Sequence, residues 1–220
     1  MNPADAYLIA LRTDYMVFYE RVFATVNPGV AFVDSWHLHA IGEQLRRVDA
    51  GLTKRLIVNV PPRSGKSILT TIGYSAWRHG RDPRTRIICV SSDEALVRSL
   101  AASYRAVVGA GWFQQAFPRF RIQRGGDRAC ETITTLRGYR YGVSIGGSVL
   151  GRGADLIIAD DAMSATAALS EKVRHRQCEL WDTAFQTRLD RKGEGAIVIV
   201  SQRLHEDDLV GHVTRGGFDA

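Results

Sequence analysis

Four short apolar runs, separated by segments with helical spacing, most restrict what this chain can fold into. Continuous apolar runs of this length are typical of strands covered on both faces, as in parallel sheets. The runs are RLIVNV (55 to 60), TRIICVSS (85 to 92), ADLIIADD (154 to 161) and GAIVIVSQ (195 to 202). The helices predicted between them cover 66 to 79, 93 to 109 and 170 to 189. Strands alternating with helices predict an α/β protein with a mainly parallel sheet flanked by helices.

The remaining segments divide the chain into two predicted regions. Apolar side chains at helical spacing predict a helix over 4 to 24, and a second one is predicted over 36 to 49. We therefore predict a small helical region over 1 to 50 and an α/β core over 51 to 220. The Gly- and Arg-rich stretch 110 to 153 predicts a few short strands, among them 131 to 136 and 141 to 145.

Composition narrows the partners and the compartment. The formal net charge is +6, with 25 arginines and four lysines, which permits a nucleic-acid partner without establishing one. No apolar run reaches the ~18 residues of a membrane span, and the N-terminus lacks a secretory pattern, so we expect a cytoplasmic protein without a membrane. Three cysteines without a C-x-x-C favour buried thiols over disulfides or zinc.

The stretch NVPPRSGKSILT (59 to 70) resembles a phosphate-binding loop in which Val60 replaces the usual first glycine. The strand before it and the helix after it are the context that such a loop needs. Backbone N–H groups around Ser64 to Ser67 would face a phosphate. Lys66 would contact the β- and γ-oxygens, and the Ser67 hydroxyl would take one Mg²⁺ position. The alternative is an ordinary turn between strand and helix.

Two carboxylates, Asp160 and Asp161, close the apolar strand LIIA. Carboxyl ends of parallel strands are where α/β proteins place ligands. Asp160 is predicted to hold Mg²⁺, and Asp161 to orient or deprotonate an attacking water. Alternatively, the pair only starts a loop, since aspartate is common there.

Five segments in order carry a family resemblance. WHLHAIGEQL, RLIVNVPPRSGKS, GGSVLGRGADLIIADD, LWDTAFQTRL and IVIVSQRLHEDDLVGHV are similar to the ATPase half of the large terminase subunit, the motor that packages DNA into tailed-phage heads. The resemblance covers roughly residues 30 to 213 and implies a RecA-like (ASCE) P-loop NTPase fold with ATP and Mg²⁺ as cofactors. It also implies a bacterial host cytoplasm, ring assembly, and three partners: double-stranded DNA contacted through phosphates, a portal protein and a small terminase subunit.

The resemblance assigns further residues. Arg63 matches an arginine that contacts the γ-phosphate in loops of this type. Arg152 matches an arginine inserted into a neighbouring subunit's site, the alternative being a flexible surface arginine. Ser201 and Gln202 match the coupling motif. Trp36 and Gln44 are candidates for adenine contact, the alternative for Trp36 being a tryptophan packed in the core. The predicted nucleotide-binding set is Trp36, Gln44, Pro62, Arg63, Ser64, Gly65, Lys66, Ser67, Ser201 and Gln202; the catalytic set is Arg63, Lys66, Arg152, Asp160 and Asp161; the metal ligands are Ser67 and Asp160.

Two details depart from the simplest pattern. Many relatives have glutamate where this chain has Asp161, which leaves the identity of the catalytic base open. The acidic stretch His205 to Asp208 could supply metal ligands, but acidic residues in the first turn of a helix are the simpler interpretation.

The resemblance also bears on what lies beyond the chain. Full-length relatives carry a C-terminal ribonuclease-H-like nuclease, for which nothing after Leu204-His205 has room, so ATPase and no nuclease activity is predicted. The final RGGFDA resembles a boundary inside a longer protein, or else a natural terminus. Two alternative functions remain: a RecA-like helicase, which would need a second domain, and an inactive prophage remnant.

Overall fold

The computed structural model describes residues 2–217. The chain begins with α1 (Pro3–Thr13) and α2 (Tyr15–Val26), where a single helix was predicted. That prediction is wrong at Asp14, which is extended and accepts hydrogen bonds from the backbone N–H groups of Met16 and Val17. An aspartate with this geometry is an N-cap, so it starts a new helix. The prediction over 36 to 49 is confirmed by α3 (Trp36–Asp49).

Within the described residues, seven strands form one sheet, in the order β1-β7-β6-β2-β5-β4-β3. The first five in this order are mutually parallel, and β4 and β3 are antiparallel, which confirms the mainly parallel sheet. The strands are β1 (Arg55–Asn59), β2 (Arg86–Ser91), β3 (Ile122–Asp127), β4 (Glu131–Thr134), β5 (Tyr139–Ser144), β6 (Leu156–Asp160) and β7 (Ala196–Ser201). β3 was not individually predicted because its sequence, IQRGGD, is polar.

Helices cover both faces of the sheet. Helix α4 is the continuous segment formed by Ile68–Tyr74, which is π-helical, and Ser75–Arg81, which is α-helical. The others are α5 (Glu94–Gly109), α6 (Gly111–Ala116), α7 (Ala165–Ala168), α8 (Glu171–Leu180, continued by Trp181–Phe185 and Gln186–Arg188) and α9 (Leu209–His212, continued by Val213–Gly217). No helix in residues 2–217 is long and apolar enough to cross a bilayer.

Two large apolar clusters, one on each face of the sheet, form most of the core, and a small third cluster joins Met163, Ala168 and Cys178. Ile87 and Cys89 of β2 point into the cluster made with helices α1 to α6, while Ile88 and Val90 point into the cluster under Trp181. This division follows from the alternation of side chains along a strand. Because α1, α2 and α3 share one cluster with the sheet, the N-terminal helices are packed directly on the core. The boundary near residue 50 stays a prediction.

Residues assigned to packing behave mostly as predicted. Trp77 and Trp181 are fully buried. Trp112 is half-buried and donates its indole N–H to Thr25 Oγ1. All three cysteines are free, as expected, although Cys130 is only partly buried.

Strands β1, β7 and β6 end side by side at the carboxyl edge of the sheet. Asn59 pairs with Ser201, and Asp160 pairs with Val200. The chain stays attached to this edge one residue further: Val60 N–H donates to the Ser201 carbonyl and Asp161 N–H to the Val200 carbonyl, at 3.3 and 2.9 Å. The loop after β1 and the carboxylates after β6 are therefore held beside one another.

Candidate functional site

The segment from 60 to 67, here called the GKS loop, joins β1 to α4. Gly65 has a φ of +79°, a conformation that L side chains rarely adopt. A Cβ at this position would also lie 3.0 Å from the hydroxyl of Tyr19. Glycine is thus required twice, by the backbone and by a neighbouring side chain. Arg63 has a φ of +60°, is exposed, and forms no side-chain hydrogen bond or ion pair within residues 2–217.

Lys66 is buried, with only 5% of its surface exposed. Its Nζ lies 2.9 Å from Asp161 Oδ2. A lysine this deeply buried needs an anionic partner, because an isolated ammonium loses its hydration without compensation. The Lys66–Asp161 ion pair therefore marks a position beside the GKS loop where a negative charge stabilises the buried ammonium.

Asp160 is held by two hydroxyls of α4. Ser67 Oγ donates to Oδ1 at 3.0 Å, and Thr71 Oγ1 donates to Oδ2 at 2.7 Å. The carboxyl is 1% exposed, and burial raises its pKa from 3.8 to about 6. The two hydroxyls and Lys66 act against this rise in pKa, whereas the charge of Asp161 adds to it.

The π-helical turn of α4 shapes this contact. A π-helix widens the turn and alters which carbonyls find intrahelical donors. Two hydroxyls bond to carbonyls here: Tyr15 donates to the Leu69 carbonyl, and Thr70 donates to that of Lys66. Thr71, four residues after Ser67, faces the same carboxylate. Sequence reasoning missed Thr71, although its spacing from Ser67 on a predicted helix was a usable signal.

Helix α3 holds the loop from the other side. His37 Nε2 lies 3.2 Å from the Ser64 carbonyl, and Ser35 Oγ lies 3.0 Å from His37 Nδ1. Because a carbonyl only accepts, Nε2 carries the proton and Nδ1 accepts from the serine. With Tyr19 against Gly65, the N-terminal helices form part of the wall around the loop.

The end of β7 reaches the same carboxylates. Ser201 Oγ lies 3.4 Å from Asn59 Oδ1, and the Gln202 N–H donates to Asp161 Oδ1 at 3.4 Å. The structure thus brings Ser201 and Gln202 into contact with the strand before the loop and with the residue that pairs with Lys66.

Two predicted residues lie outside this cluster. Trp36 is 82% exposed, so the alternative of a core tryptophan is wrong. It begins α3, next to His37, and its side chain is open to solvent. Gln44 is exposed on the same helix, about 10 Å along the axis from His37. Adenine contact by either stays a prediction.

Arg152 lies far from the loop of its own chain. It donates to the buried Glu131 of β4, and its guanidinium stacks 4.0 Å from the ring centroid of Tyr141 on β5. Four strand spacings separate β5 from β1 in the sheet, on the order of 19 Å. The Arg152 side chain therefore does not contact the GKS loop of its own chain in this structure.

The acidic stretch after β7 is a turn, not the first turn of a helix. His205, Glu206 and Asp207 precede α9, and Asp208 is its N-cap, accepting from the Gly211, Leu204 and His205 N–H groups. The prediction that these acidic residues form the first turn of a helix is wrong, because α9 begins only after Asp208. No group of three or more His, Cys, Asp or Glu in residues 2–217 could hold a metal ion.

The donors around the loop nonetheless suit a magnesium nucleotide. The Ser64 hydroxyl is buried and has no hydrogen-bond partner. Magnesium binds proteins through one or two oxygen ligands, the rest being water and phosphate. Ser67 Oγ and Asp160 Oδ1, 3.0 Å apart, can supply those two ligands. The orphaned hydroxyl, buried lysine and hydroxyl–carboxylate pair together fit a bound triphosphate with its cation.

These features define an α/β protein with a seven-stranded, mostly parallel sheet and a basic loop at its carboxyl edge. The fold is similar to that of a solved structure, the HK97 bacteriophage large terminase, which superposes with a TM-score of 0.58 at 14% sequence identity. The match covers 91% of this chain and 42% of the HK97 protein, so this chain spans less than half of that length. No protein-family model matches the sequence, and neither does any curated protein.

Proposed function

We propose that this chain is the ATP-hydrolysing motor domain of a terminase large subunit, which drives double-stranded DNA into a phage head. One observation carries the proposal: Lys66, Ser67, Asp160 and Asp161 converge at the carboxyl edge of a terminase-like sheet. This is the combination of cation, hydroxyl and carboxylates that phosphoryl transfer from a magnesium nucleotide requires.

The loop would bind the phosphates through its backbone and through Lys66. N–H groups from Ser64 to Ser67 face the β-phosphate, and Lys66 exchanges its partner Asp161 for the β- and γ-oxygens. Arg63 reaches the γ-phosphate as a forked donor, with Pro62 setting the course of the loop. Ser67 and Asp160 would hold Mg²⁺, which would supply positive charge beside the transferred phosphoryl group.

Asp161 would act once Lys66 has turned to the nucleotide. Its carboxylate then lacks a cationic partner and can accept a proton from the attacking water. The Gln202 N–H, 3.4 Å from Asp161 Oδ1, keeps the carboxylate oriented. Ser201 ends β7 and Gln202 follows it. A movement of the Asp161 carboxylate would therefore be transmitted through Gln202 to the turn after β7, and this is the coupling step of the proposed motor.

The remaining partners belong to the same proposal. Trp36 and Gln44 would contact the adenine, and Arg152 would act in the site of a neighbouring subunit within a ring. Double-stranded DNA, a portal protein and a small terminase subunit would be the partners, in the cytoplasm of a bacterial host.

Phosphate release by the purified chain, with and without duplex DNA, tests the activity. Lys66→Ala should abolish release and weaken nucleotide binding, whereas Lys192→Ala, which removes a lysine far along the chain from the loop, should change neither. Equal inactivity of wild type and Lys66→Ala, together with absent nucleotide binding, would favour the inactive remnant. Separation of the strands of a forked duplex would favour a helicase instead.

A further inference from the structure

The sheet ends on a strand with an unusual charge pattern. β3 is the last strand in the order and pairs only with β4 among the described residues, so its outer edge has no partner strand there. Residues 117 to 130 contain four arginines and one acidic residue, a net charge of +3 in a chain with a formal net charge of +6. We call Arg119, Arg121, Arg124 and Arg128 the arginine edge.

A bulge shapes this edge. Ile122 pairs with Thr134 and Asp127 with Thr132, so five steps along β3 correspond to two along β4. Gly125 has a φ of +71°, and a Cβ on Gly126 would lie 3.0 Å from the Ile133 carbonyl oxygen. Glycines are thus needed to make the bulge, and Arg124 lies on its exposed part. Bulges at sheet edges re-aim side chains and end flat pairing.

Two of the four guanidinium groups have no hydrogen-bond or ion-pair partner among residues 2–217. Arg121 donates to Gln114 and to the Phe120 carbonyl, and Arg128 lies 3.5 Å from Glu131. Arg119 and Arg124 are exposed and form no side-chain hydrogen bond or ion pair within residues 2–217. The only carboxylate on the strand, Asp127, lies 3.6 Å from Arg105 of α5.

Charged edge strands also serve to prevent sheets from pairing with one another. That role accounts for both the charge and the bulge, but it does not require that Arg119 and Arg124 lack an ion-pair partner within residues 2–217. The same bulge disfavours an added peptide strand, which requires a flat, regular edge. A guanidinium donates two hydrogen bonds to two oxygens of one phosphate, and exposed arginines without ion-pair partners complement the negative charge of a row of phosphates.

We propose that the arginine edge binds the phosphate backbone of duplex nucleic acid, through Arg119 and Arg124 first of all. The inference rests on the proposed function for its partner class and adds the surface. Six strand spacings separate β3 from β1, on the order of 29 Å, so this contact is independent of the GKS loop.

The test uses the 220-residue chain and a 30-base-pair duplex of arbitrary sequence, with fluorescence anisotropy measured over a series of NaCl concentrations. Each phosphate contact contributes about 0.9 to the slope of log K against log salt. Arg119→Gln/Arg124→Gln should therefore lower the slope by roughly 1.8. Glutamine keeps the edge polar, and size-exclusion chromatography checks that the variant does not aggregate. Arg119→Lys/Arg124→Lys should retain the slope.

Arg47→Gln/Arg176→Gln is the matched control. It removes two exposed arginines, on α3 and α8, that form no ion pair with any residue from 2 to 217. It should leave the slope unchanged. An unchanged slope in Arg119→Gln/Arg124→Gln would overturn the proposal, and so would equal losses in the control. Polyglutamate binding as tightly as DNA, with the same dependence on Arg119 and Arg124, would identify an acidic protein surface instead.

The outcome is separable from that of the proposed function. Arg119→Gln/Arg124→Gln should retain the phosphate release measured without DNA, and Lys66→Ala should retain DNA binding. A wild-type chain that binds DNA but has no ATPase activity would contradict the proposed motor function. It would not contradict the proposal that the arginine edge binds nucleic acid.

Discussion

At the scale of single residues, Asp160 combines burial with several close polar neighbours. Its carboxyl is fully buried between Ser67 and Thr71, yet it lies beside Asp161 and Lys66. Burial raises the pKa to about 6, which means that the folded chain holds a proton that the unfolded chain has already lost.

This pKa predicts a dependence of stability on pH. As the pH rises from about 4 to about 6, the wild type should lose roughly 2 to 3 kcal/mol of its free energy of unfolding through Asp160, because an unfolded aspartate ionises first. Asp160→Asn avoids the buried charge. The variant should be the more stable protein at pH 8, with the advantage disappearing near pH 4, while phosphate release is lost.

Urea denaturation at several pH values measures the difference. Asp127→Asn, an exposed site on β3, provides the control and should show no such trend. A constant difference between wild type and Asp160→Asn from pH 4 to 8 would contradict the assignment.

Much of this site could be predicted from residue type and position. Lys66, Ser67, Asp160 and Asp161 follow apolar strands, and parallel strands end at one edge, so their convergence was expected. The Lys66–Asp161 pair and the orphaned Ser64 hydroxyl were not, because both depend on how deeply the loop is covered.

At the scale of elements, α4 decides how the loop meets the sheet. Its π-helical turn places Thr71 as well as Ser67 on Asp160. A helix starting at Lys66 was predicted, but the π geometry was not. Carbonyls in this segment accept hydrogen bonds from the hydroxyls of Tyr15 and Thr70. Tyr15 belongs to α2, so its bond to α4 cannot be predicted from spacing along the sequence.

Thr71→Val tests the role of α4. The substitution keeps the shape and removes the hydrogen bond that lowers the pKa of Asp160, so the pKa should rise further. The acidic limb of the pH profile for phosphate release should therefore move to higher pH. Thr71→Ser should restore the wild-type profile. A lower rate with an unshifted profile would indicate a purely structural contribution of Thr71.

Element boundaries show where local signals suffice. The helix over 36 to 49 was located correctly because its apolar spacing is regular. The helix over 4 to 24 was not, because the apolar pattern continues through Asp14 while its side chain caps a new helix. Strand β3 has no apolar alternation at all and exists through pairing with β4.

At the scale of the whole molecule, the distance of Arg152 from the GKS loop bears on how the chains of the proposed ring would contact one another. The guanidinium is held by Glu131 and Tyr141 on a different part of the sheet. An arginine that acts on a nucleotide in the proposed ring must therefore do so in a neighbouring chain, after leaving or re-orienting this contact.

Mixing two inactive variants tests this arrangement. Lys66→Ala and Arg152→Ala should each lose phosphate release, because each damages one half of a shared site. In an equal mixture, about a quarter of the interfaces join an intact loop to an intact arginine, so roughly a quarter of the activity should return. Lys66→Ala/Arg152→Ala mixed with wild type is the reference. No recovery at concentrations where the chain assembles would contradict action in trans.

The sequence by itself determined the α/β class, the mainly parallel character of the sheet and the residue types at the carboxyl ends of its core strands. Those features depend on local periodicity and on short motifs, which act through neighbouring residues. Only the tertiary structure decided that Thr71 donates a hydrogen bond to Asp160 and that Tyr19 and His37 contact the GKS loop. It also decided that Arg152 lies away from the GKS loop of its own chain. Each of these joins residues far apart in the chain, and their contacts follow from packing between elements rather than from any pattern within one.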